Sequence, residues 1–416
     1  MADSPPALHV TGLAAGGEGI ARDPGGRVVL VDGALPGERV TATPLRARRG
    51  RPHAVVDAVL EAAPERVAPP CPFVTAGCGG CGWQHVDPGG QRSLKAALVA
   101  DALRYAGVED PEVDEGPALP AVDYRTTVRG VVDAEGRVAL RRPRSHDLVP
   151  VPGCLVAHPL VVEVLAEGRF PPGAEVTVRA GARTGERLVI LDRPVDPLTP
   201  DDPAPVVRGD VAVPDGVRVV EGADLAAGKR AWIHEEVAGR RLRVSARSFF
   251  QSGPAGAEAL VEAVGDAVGD AAGPGGHVLD LYGGVGLFAA TVAAEAGGRV
   301  TLVDASAGGA ADARVNLRAV EGLDARVVRS DVARWHPRRA HVVIADPPRA
   351  GLGRGPVAVV GRTGAERVVL VSCDAAALGR DARLLARAGY RFVGATLVDQ
   401  FVGTPHVEVV SRFDRA

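Results

Sequence analysis

The stretch Val278-Leu279-Asp280-Leu281-Tyr282-Gly283-Gly284-Val285-Gly286-Leu287-Phe288 constrains the fold of this chain most. A short apolar run carries an acid near its end, opens into a glycine-rich turn and continues as an apolar helix start. Glycine has no Cβ, so backbone in such a turn can lie close against a bound nucleoside. The motif alone fits dinucleotide binding, S-adenosylmethionine binding, or tight strand–helix packing with no ligand.

Around this turn, from about residue 246, strands alternate with helices. Leu260, Val264 and Val268 give one helical face, and strands are expected at 278–281, 300–303, 326–328, 342–345, 368–371, 392–398 and 407–410. That alternation predicts a mostly parallel sheet with helices on both sides. Ligands of such sheets bind beyond the carboxyl ends of the strands. Here the ends read Asp280-Leu281-Tyr282, Asp304, Asp331, Asp346-Pro347-Pro348-Arg349 and Ser372-Cys373-Asp374. Asp304 follows the glycine turn by roughly 20 residues, where a carboxylate can accept both ribose hydroxyls, as it would in an NAD enzyme too. Helix capping explains any one of these aspartates but explains the series poorly. The two prolines after Asp346 stiffen their turn into a rigid wall.

A cysteine placed like Cys373 is more often an inert small residue than a reactive one. If the last strand runs antiparallel, however, Glu408 at its start reaches the same rim. A thiol and a carboxylate beside a nucleoside site make a nucleophile–base pair.

The chain before residue 246 has a different texture. Short strands at 8–13, 19–22, 28–31, 38–43 and 55–60 are separated by Ala15-Gly16-Gly17, Asp23-Pro24-Gly25-Gly26 and Leu35-Pro36-Gly37. They predict a small β-barrel of the oligonucleotide-binding sort. Arg46, Arg48, Arg49 and Arg51 fall in a loop before its last strand, where phosphate contact and a solvated loop are both open. A proline-rich connector leads into Cys71-Pro72-Phe73-Val74-Thr75-Ala76-Gly77-Cys78-Gly79-Gly80-Cys81. Leu94, Leu98, Ala102 and Tyr105 then form one stripe of a helix ending near Gly107. Residues 122–245 read mostly as β structure containing Cys154, with an exposed loop over 194–205. The expected domains are 1–64, a barrel; 65–245, a β-rich central domain with the cysteine cluster; and 246–416, the α/β domain.

Compartment decides how the five cysteines are read. No run of about 18 uncharged apolar residues suggests a membrane span. The start, Met1-Ala2-Asp3-Ser4-Pro5-Pro6, lacks the basic and apolar regions of a secretory signal. A cytoplasmic protein without a membrane partner is expected. In a reducing cytosol clustered cysteines read as metal ligands and a single distant one as a candidate nucleophile. Cys71, Cys78, Cys81 and Cys154 could hold structural zinc or an iron–sulfur cluster, and spacing leaves both open. A net charge of −3 argues mildly against a simple nucleic-acid coat.

Taken in order, these residues resemble the RNA uracil-5-methyltransferase family, in the branch with a TRAM domain and an iron–sulfur cluster, over essentially the whole chain. Gly16-Gly17-Glu18-Gly19-Ile20-Ala21-Arg22 and Gly33-Ala34-Leu35-Pro36-Gly37-Glu38 resemble the TRAM barrel. Cys71-x6-Cys78-Gly79-Gly80-Cys81, with Gln84-His85 and Cys154, resembles the cluster site. Phe249-Phe250-Gln251, Asp346-Pro347-Pro348-Arg349, Ser372-Cys373 and Thr404-Pro405-His406-Val407-Glu408 resemble the catalytic motifs.

The resemblance implies an α/β class I (Rossmann-like) methyltransferase domain behind an OB-like TRAM barrel and a β-rich central domain. It implies S-adenosylmethionine bound by Gln251, Tyr282, Asp304 and Asp346, Cys373 as nucleophile and Glu408 as general base. It also implies a 4Fe-4S cluster on Cys71, Cys78, Cys81 and Cys154, and a monomer acting on RNA, ribosomal more than transfer RNA, to form 5-methyluridine. The nucleophile is expected to have its pKa lowered by local dipoles or cations. The sequence departs from the family at Leu287 and Gly253 (Asn in other members), Asp374 (Asn), Val402 (Pro) and Gly283 (Cys). Two other readings stand beside it: an RNA-binding iron–sulfur protein with a degenerate transferase domain, and a base-nitrogen methyltransferase that would not need Cys373.

Overall fold

The computed structural model describes residues 7–48, 50–193, 210–296 and 298–416. The loop expected over 194–205, and Arg49, lie outside the described residues.

The N-terminal strands β1 (Leu8–Leu13), β2 (Gly19–Arg22), β3 (Val28–Asp32), β4 (Arg39–Arg48) and β5 (Arg51–Glu61) close into a barrel in the order β1-β2-β3-β5-β4. Alternate residues Val10, Ala21, Val29, Val31, Val40 and Ala54 fill its interior, as a period of two requires. Arg46, Arg48 and Arg51 are not in a loop: β4 and β5 pair out to Arg48 opposite Arg51, so these three belong to the strands of a long hairpin.

After α1 (Pro72–Thr75) comes α2 (Pro88–Tyr105), whose start is set by Asp87: its carboxylate accepts from the Gly89 and Gly90 amides, with Pro88 in the first turn. Leu98 is buried as expected, but Tyr105 is 88% exposed, and it is Val99 and Leu103 that continue the apolar stripe. The short β6 (Val113–Glu115) follows. β7 (Thr127–Val132), β8 (Val138–Arg141), β9 (Leu148–Pro150), β10 (Glu175–Ala180), β11 (Arg187–Asp192) and β12 (Val217–Glu221) make a sheet in the order β12-β11-β10-β7-β8-β9. The helix α3 (Pro159–Glu167) covers it, packing Val161, Val164 and Leu165 against Val128, Val176 and Val178. Beyond α4 (Gly222–Ala226), β13 (Trp232–Val237) and β14 (Arg240–Ser245) form a separate antiparallel pair.

The C-terminal part runs α5 (Pro254–Val268), β15 (His277–Leu281), α6 (Leu287–Ala290), α7 (Val292–Ala296), β16 (Arg299–Asp304), α8 (Ala307–Arg318), β17 (Asp324–Arg329), β18 (Val342–Ala345), α9 (Arg354–Thr363), β19 (Arg367–Ser372), α10 (Ala375–Arg387), β20 (Tyr390–Leu397) and β21 (Val409–Arg415). The sheet order is β17-β16-β15-β18-β19-β21-β20-β6, with β21 antiparallel to both neighbours. β15 lies inside this sheet and all five of its residues are buried. Its two faces feed two cores. Leu279, Leu281, Val343, Ala345 and Leu370 meet α2 and α10, while Val278, Ile344, Val369 and Val371 meet α5. Each fully buried Leu, Val or Ile contributes about 1.5–3 kcal/mol. The last strand of this sheet, β6, and the helix α2 come from the stretch 65–245: β6 pairs with β20 and α2 packs on α10.

Candidate active site and cysteine cavity

β15 delivers the glycine turn to the open edge of the sheet. Tyr282 takes a left-handed conformation (φ 62°), as do Gly284 (54°) and Gly286 (92°). At Gly283 a Cβ would lie 2.6 Å from Leu302 and 2.8 Å from the Asp280 carboxyl, so Leu302 occupies the space that a cysteine would need. Asp304, at the end of β16, accepts from the Gly284 amide (2.9 Å) and the Ser306 amide (2.6 Å). It is therefore braced against the turn, and the cap of α8 is supplied by Ser306 instead. The capping explanation does hold for Asp331 and Asp374, whose carboxylates accept from the Ala333 and Ala377 amides.

The remaining rim acids are of another kind. Asp280 is fully buried, with Oδ2 accepting from the Ala289 amide and Oδ1 left without a partner. Burial, then the charges of Asp346 and Asp304, push its carboxyl up to about 8. Asp346, at the end of β18, is held up to about 7 by desolvation. A glycine cradle in which a side chain would collide, and an orphaned carboxylate oxygen beneath it, fit a close-lying cationic nucleoside such as S-adenosylmethionine. Leu287 is buried.

β19 ends at Ser372, which pairs with Val409 at the start of β21. The next residue on one strand, Cys373, and the preceding one on the other, Glu408, thus emerge side by side on the rim. Burial, Glu408 and Asp346 raise the Cys373 thiol to about 11. This reverses the expected lowering: the groups nearest the thiol are acids, and Arg349, the cation that opposes them, is largely exposed. Glu408 is buried, and burial with the Asp346 charge lifts its carboxyl well above the usual range.

One residue at the centre of this arrangement escaped the sequence reading. Gln400 is 2% exposed and donates from Nε2 both to Gln251 Oε1 (2.9 Å) and to Glu408 Oε2 (3.1 Å). Ser252 Oγ donates to its Oε1 (3.2 Å), which fixes the amide's orientation. Gly256 admits it, since a Cβ there would lie 2.8 Å from Gln400 Cβ. Gly253 has a similar cause: a Cβ would stand 2.1 Å from the Tyr124 carbonyl oxygen, so an asparagine does not fit this backbone. The loop bearing Gln400 is anchored by Lys95 of α2. Lys95 is fully buried and donates to Asp399 Oδ1 (2.6 Å) and the Phe401 carbonyl (3.3 Å).

Two cavities share Arg125 in their linings. One, of 430 Å³, is lined by Arg125, Arg247, Phe249, Gln251 and Phe401. Phe249 is 72% exposed there. Arg179 donates to the carbonyls of Ser245, Ala246 and Ser248 and so locks the turn that presents Phe249. The other, of 160 Å³, is lined by Cys71, Cys78, Cys81 and Cys154. Burial raises the Cys78, Cys81 and Cys154 thiols, Cys81 to about 11, with neighbouring cysteines adding to the effect. Among the described residues no three of these sulfurs lie within 4.8 Å of one another. Arg125 borders both cavities, its Nε buried without a partner.

The fold and site define a class I methyltransferase carrying a TRAM barrel. The methyltransferase small domain model matches residues 254–363 and the TRAM domain model residues 8–50. An RNA methyltransferase of Streptomyces avermitilis is 38% identical over 98% of both chains. The 23S rRNA (uracil(1939)-C(5))-methyltransferase RlmD of Pectobacterium carotovorum is 32% identical over 98% of this chain and 93% of its own. The solved structure of the Pyrococcus abyssi tRNA (uracil-54, C5)-methyltransferase with S-adenosyl-L-homocysteine shares the fold. Its TM-score is 0.71 at 22% identity, over 98% of this chain and all of that one. The chain belongs to the RNA uracil-5-methyltransferase family and is an S-adenosylmethionine-dependent RNA methyltransferase. Among the described residues no helix is long and apolar enough to cross a membrane.

Proposed function

We propose that this protein forms 5-methyluridine in RNA, ribosomal in preference to transfer RNA, with Cys373 as nucleophile and Glu408 as base. The observation that carries the reading is the antiparallel pairing of β19 with β21, which sets the thiol beside a buried carboxylate. Uracil C5 is too weak a nucleophile to take a methyl group directly. Loss of the Cys373 proton and addition of its sulfur to C6 push electrons onto C5 and O4, making C5 nucleophilic. S-adenosylmethionine, here a substrate, supplies an electrophilic methyl on a sulfonium whose charge suits the acids of the rim. Gln251, Tyr282, Asp304 and Asp346 hold it. Once C5 carries the methyl, Glu408 takes the C5 proton, and the electrons of that bond expel the Cys373 sulfur from C6. Gln400 keeps Glu408 turned toward the site. The base enters unstacked, and the exposed Phe249 and the Arg125 cavity offer it a face and a charge.

The cysteine cavity is read as the seat of a 4Fe-4S cluster with a structural or RNA-positioning role. Residues 1–64, 65–245 and 246–416 serve as RNA-binding barrel, cluster domain and transferase domain of a cytoplasmic monomer.

The deciding experiment compares Cys373→Ala with Glu408→Gln on RNA lacking the modification. Cys373→Ala should give neither product nor covalent complex. Glu408→Gln should accumulate a methyl-labelled protein–RNA species that survives denaturing electrophoresis. Wild-type turnover by Cys373→Ala would remove the nucleophile and the C5 assignment with it.

A further inference from the structure

The barrel's outer face carries a cluster that the methyl-transfer chemistry does not use. Ala21, Val29, Val31 and Ala54 point inward, so the alternate positions Glu18, Asp32 and His53 face out. Ile20 pairs with Leu30, and Leu30 with His53. The register therefore brings Glu18, before β2, to Asp32 at the end of β3 and His53 on β5. One ligand atom from each lies within 4.8 Å of the others.

His53 is 6% exposed, and its Nδ1 is buried with no hydrogen-bond partner. A buried imidazole nitrogen left unpaired is costly unless something takes the place of a partner. Arg144, at a left-handed position (φ 57°) between β8 and β9, pairs with Asp32 Oδ2. The Glu18 carboxylate folds back over Gly16, where a Cβ would lie 2.4 Å from its Oε2.

We propose that Glu18, Asp32 and His53 bind a divalent transition-metal cation on the outer face of the barrel. Two carboxylate oxygens and one imidazole nitrogen suit Mn²⁺ or Zn²⁺, unlike the soft sulfur set of the cysteine cavity. Two carboxylates and Arg144 sum to one negative charge, so a dication leaves the site positive. Three protein donors leave coordination positions for water or a phosphate oxygen. Through Asp32 the ion also ties the barrel to the Arg144 turn of the central sheet.

The test uses the full-length holoprotein and Mn²⁺ alone, which thiolates hold poorly, with free ion followed by electron paramagnetic resonance. One equivalent should bind and be displaced by Zn²⁺. Glu18→Gln and Gly16→Ala should each weaken it by about tenfold or more, the second because only the Glu18 carboxylate has to move. His53→Ala should abolish binding. Glu18 is half-buried, so its variant should melt like the wild type and settles the matter if His53→Ala misfolds. No bound Mn²⁺ in the wild type, or equal affinity in wild type, Glu18→Gln and Gly16→Ala, overturns the site.

Discussion

At the rim of the α/β sheet, acids are held by the protein itself: the buried Glu408 through Gln400 to Gln251, and the half-buried Asp304 by two backbone amides. In the cysteine cavity the thiols face one another, and Cys71, Cys78 and Cys154 each make a neighbouring thiol harder to ionise. The protein supports them with amide groups, Gly80 to Cys78 Sγ at 3.5 Å, Gln84 to Cys81, and Val156 and Ala157 to Cys154, but burial outweighs that support. The rim is preorganised by the protein's own hydrogen bonds, whereas the cavity gathers thiols whose ionisation a bound cation would favour. A site that must orient reacting atoms gains from the first arrangement, and one that binds a permanent group can use the second.

Breaking the rim's anchor should therefore hurt with or without metal. Lys95→Met strands Asp399, whose Oδ2 already lacks a partner, in the interior. Urea denaturation should show a loss of about 3–5 kcal/mol, most of it regained in Lys95→Met/Asp399→Leu. A loss below about 1 kcal/mol would mean that solvent reaches the pair. Cys81→Ser should behave in the opposite way. It should lower iron content and thermal stability in protein purified without oxygen, yet match the wild type once both are metal-free. A stability difference that survives chelation would assign the cavity to thiol packing, and stoichiometric zinc in a colourless protein would replace the cluster reading. A smaller effect is expected at Asp304, where Ala removes a charged acceptor for the ribose hydroxyls. S-adenosylmethionine binding measured by calorimetry should weaken by about 1.5–3 kcal/mol, and unchanged binding would leave Asp304 only its brace on the glycine turn.

The parallel sheet was legible because each of its inner strands is an apolar run closed by an acid, a pattern contained in a few consecutive residues. β6 was not, since three residues cannot display a period of two. Gln400 and Lys95 were not either: their partners lie 149 and 304 residues away, and a lone Gln or Lys carries no local mark of burial. The only available signal was the polar pair Asp399-Gln400 directly after an apolar strand. The basic hairpin was misread because arginine composition suggests solvent, while the β4–β5 ladder persists to its tip. Likewise Cys373 could be placed on the rim from its strand, but the sign of its pKa shift depends on Glu408 and Asp346, which only the fold puts beside it.

That sign gives the finest test of the comparison. With the Cys373 thiol at about 11, roughly one molecule in 10⁴ holds a thiolate at pH 7. Alkylation of Cys373 by iodoacetamide, read by mass spectrometry, should climb with pH up to about 10 without levelling. The climb should be shallower than tenfold per pH unit where Glu408 ionises, because its new charge opposes loss of the thiol proton. Glu408→Gln removes that charge and should make Cys373 react faster at pH 8. A positively charged cofactor analogue should act in the same direction, and S-adenosylhomocysteine, without the sulfonium charge, should have little effect. A rate already level near pH 8 in the ligand-free protein would show that the thiol ionises easily, and that the rim, like the cysteine cavity, owes its charge state to something other than the acids around it.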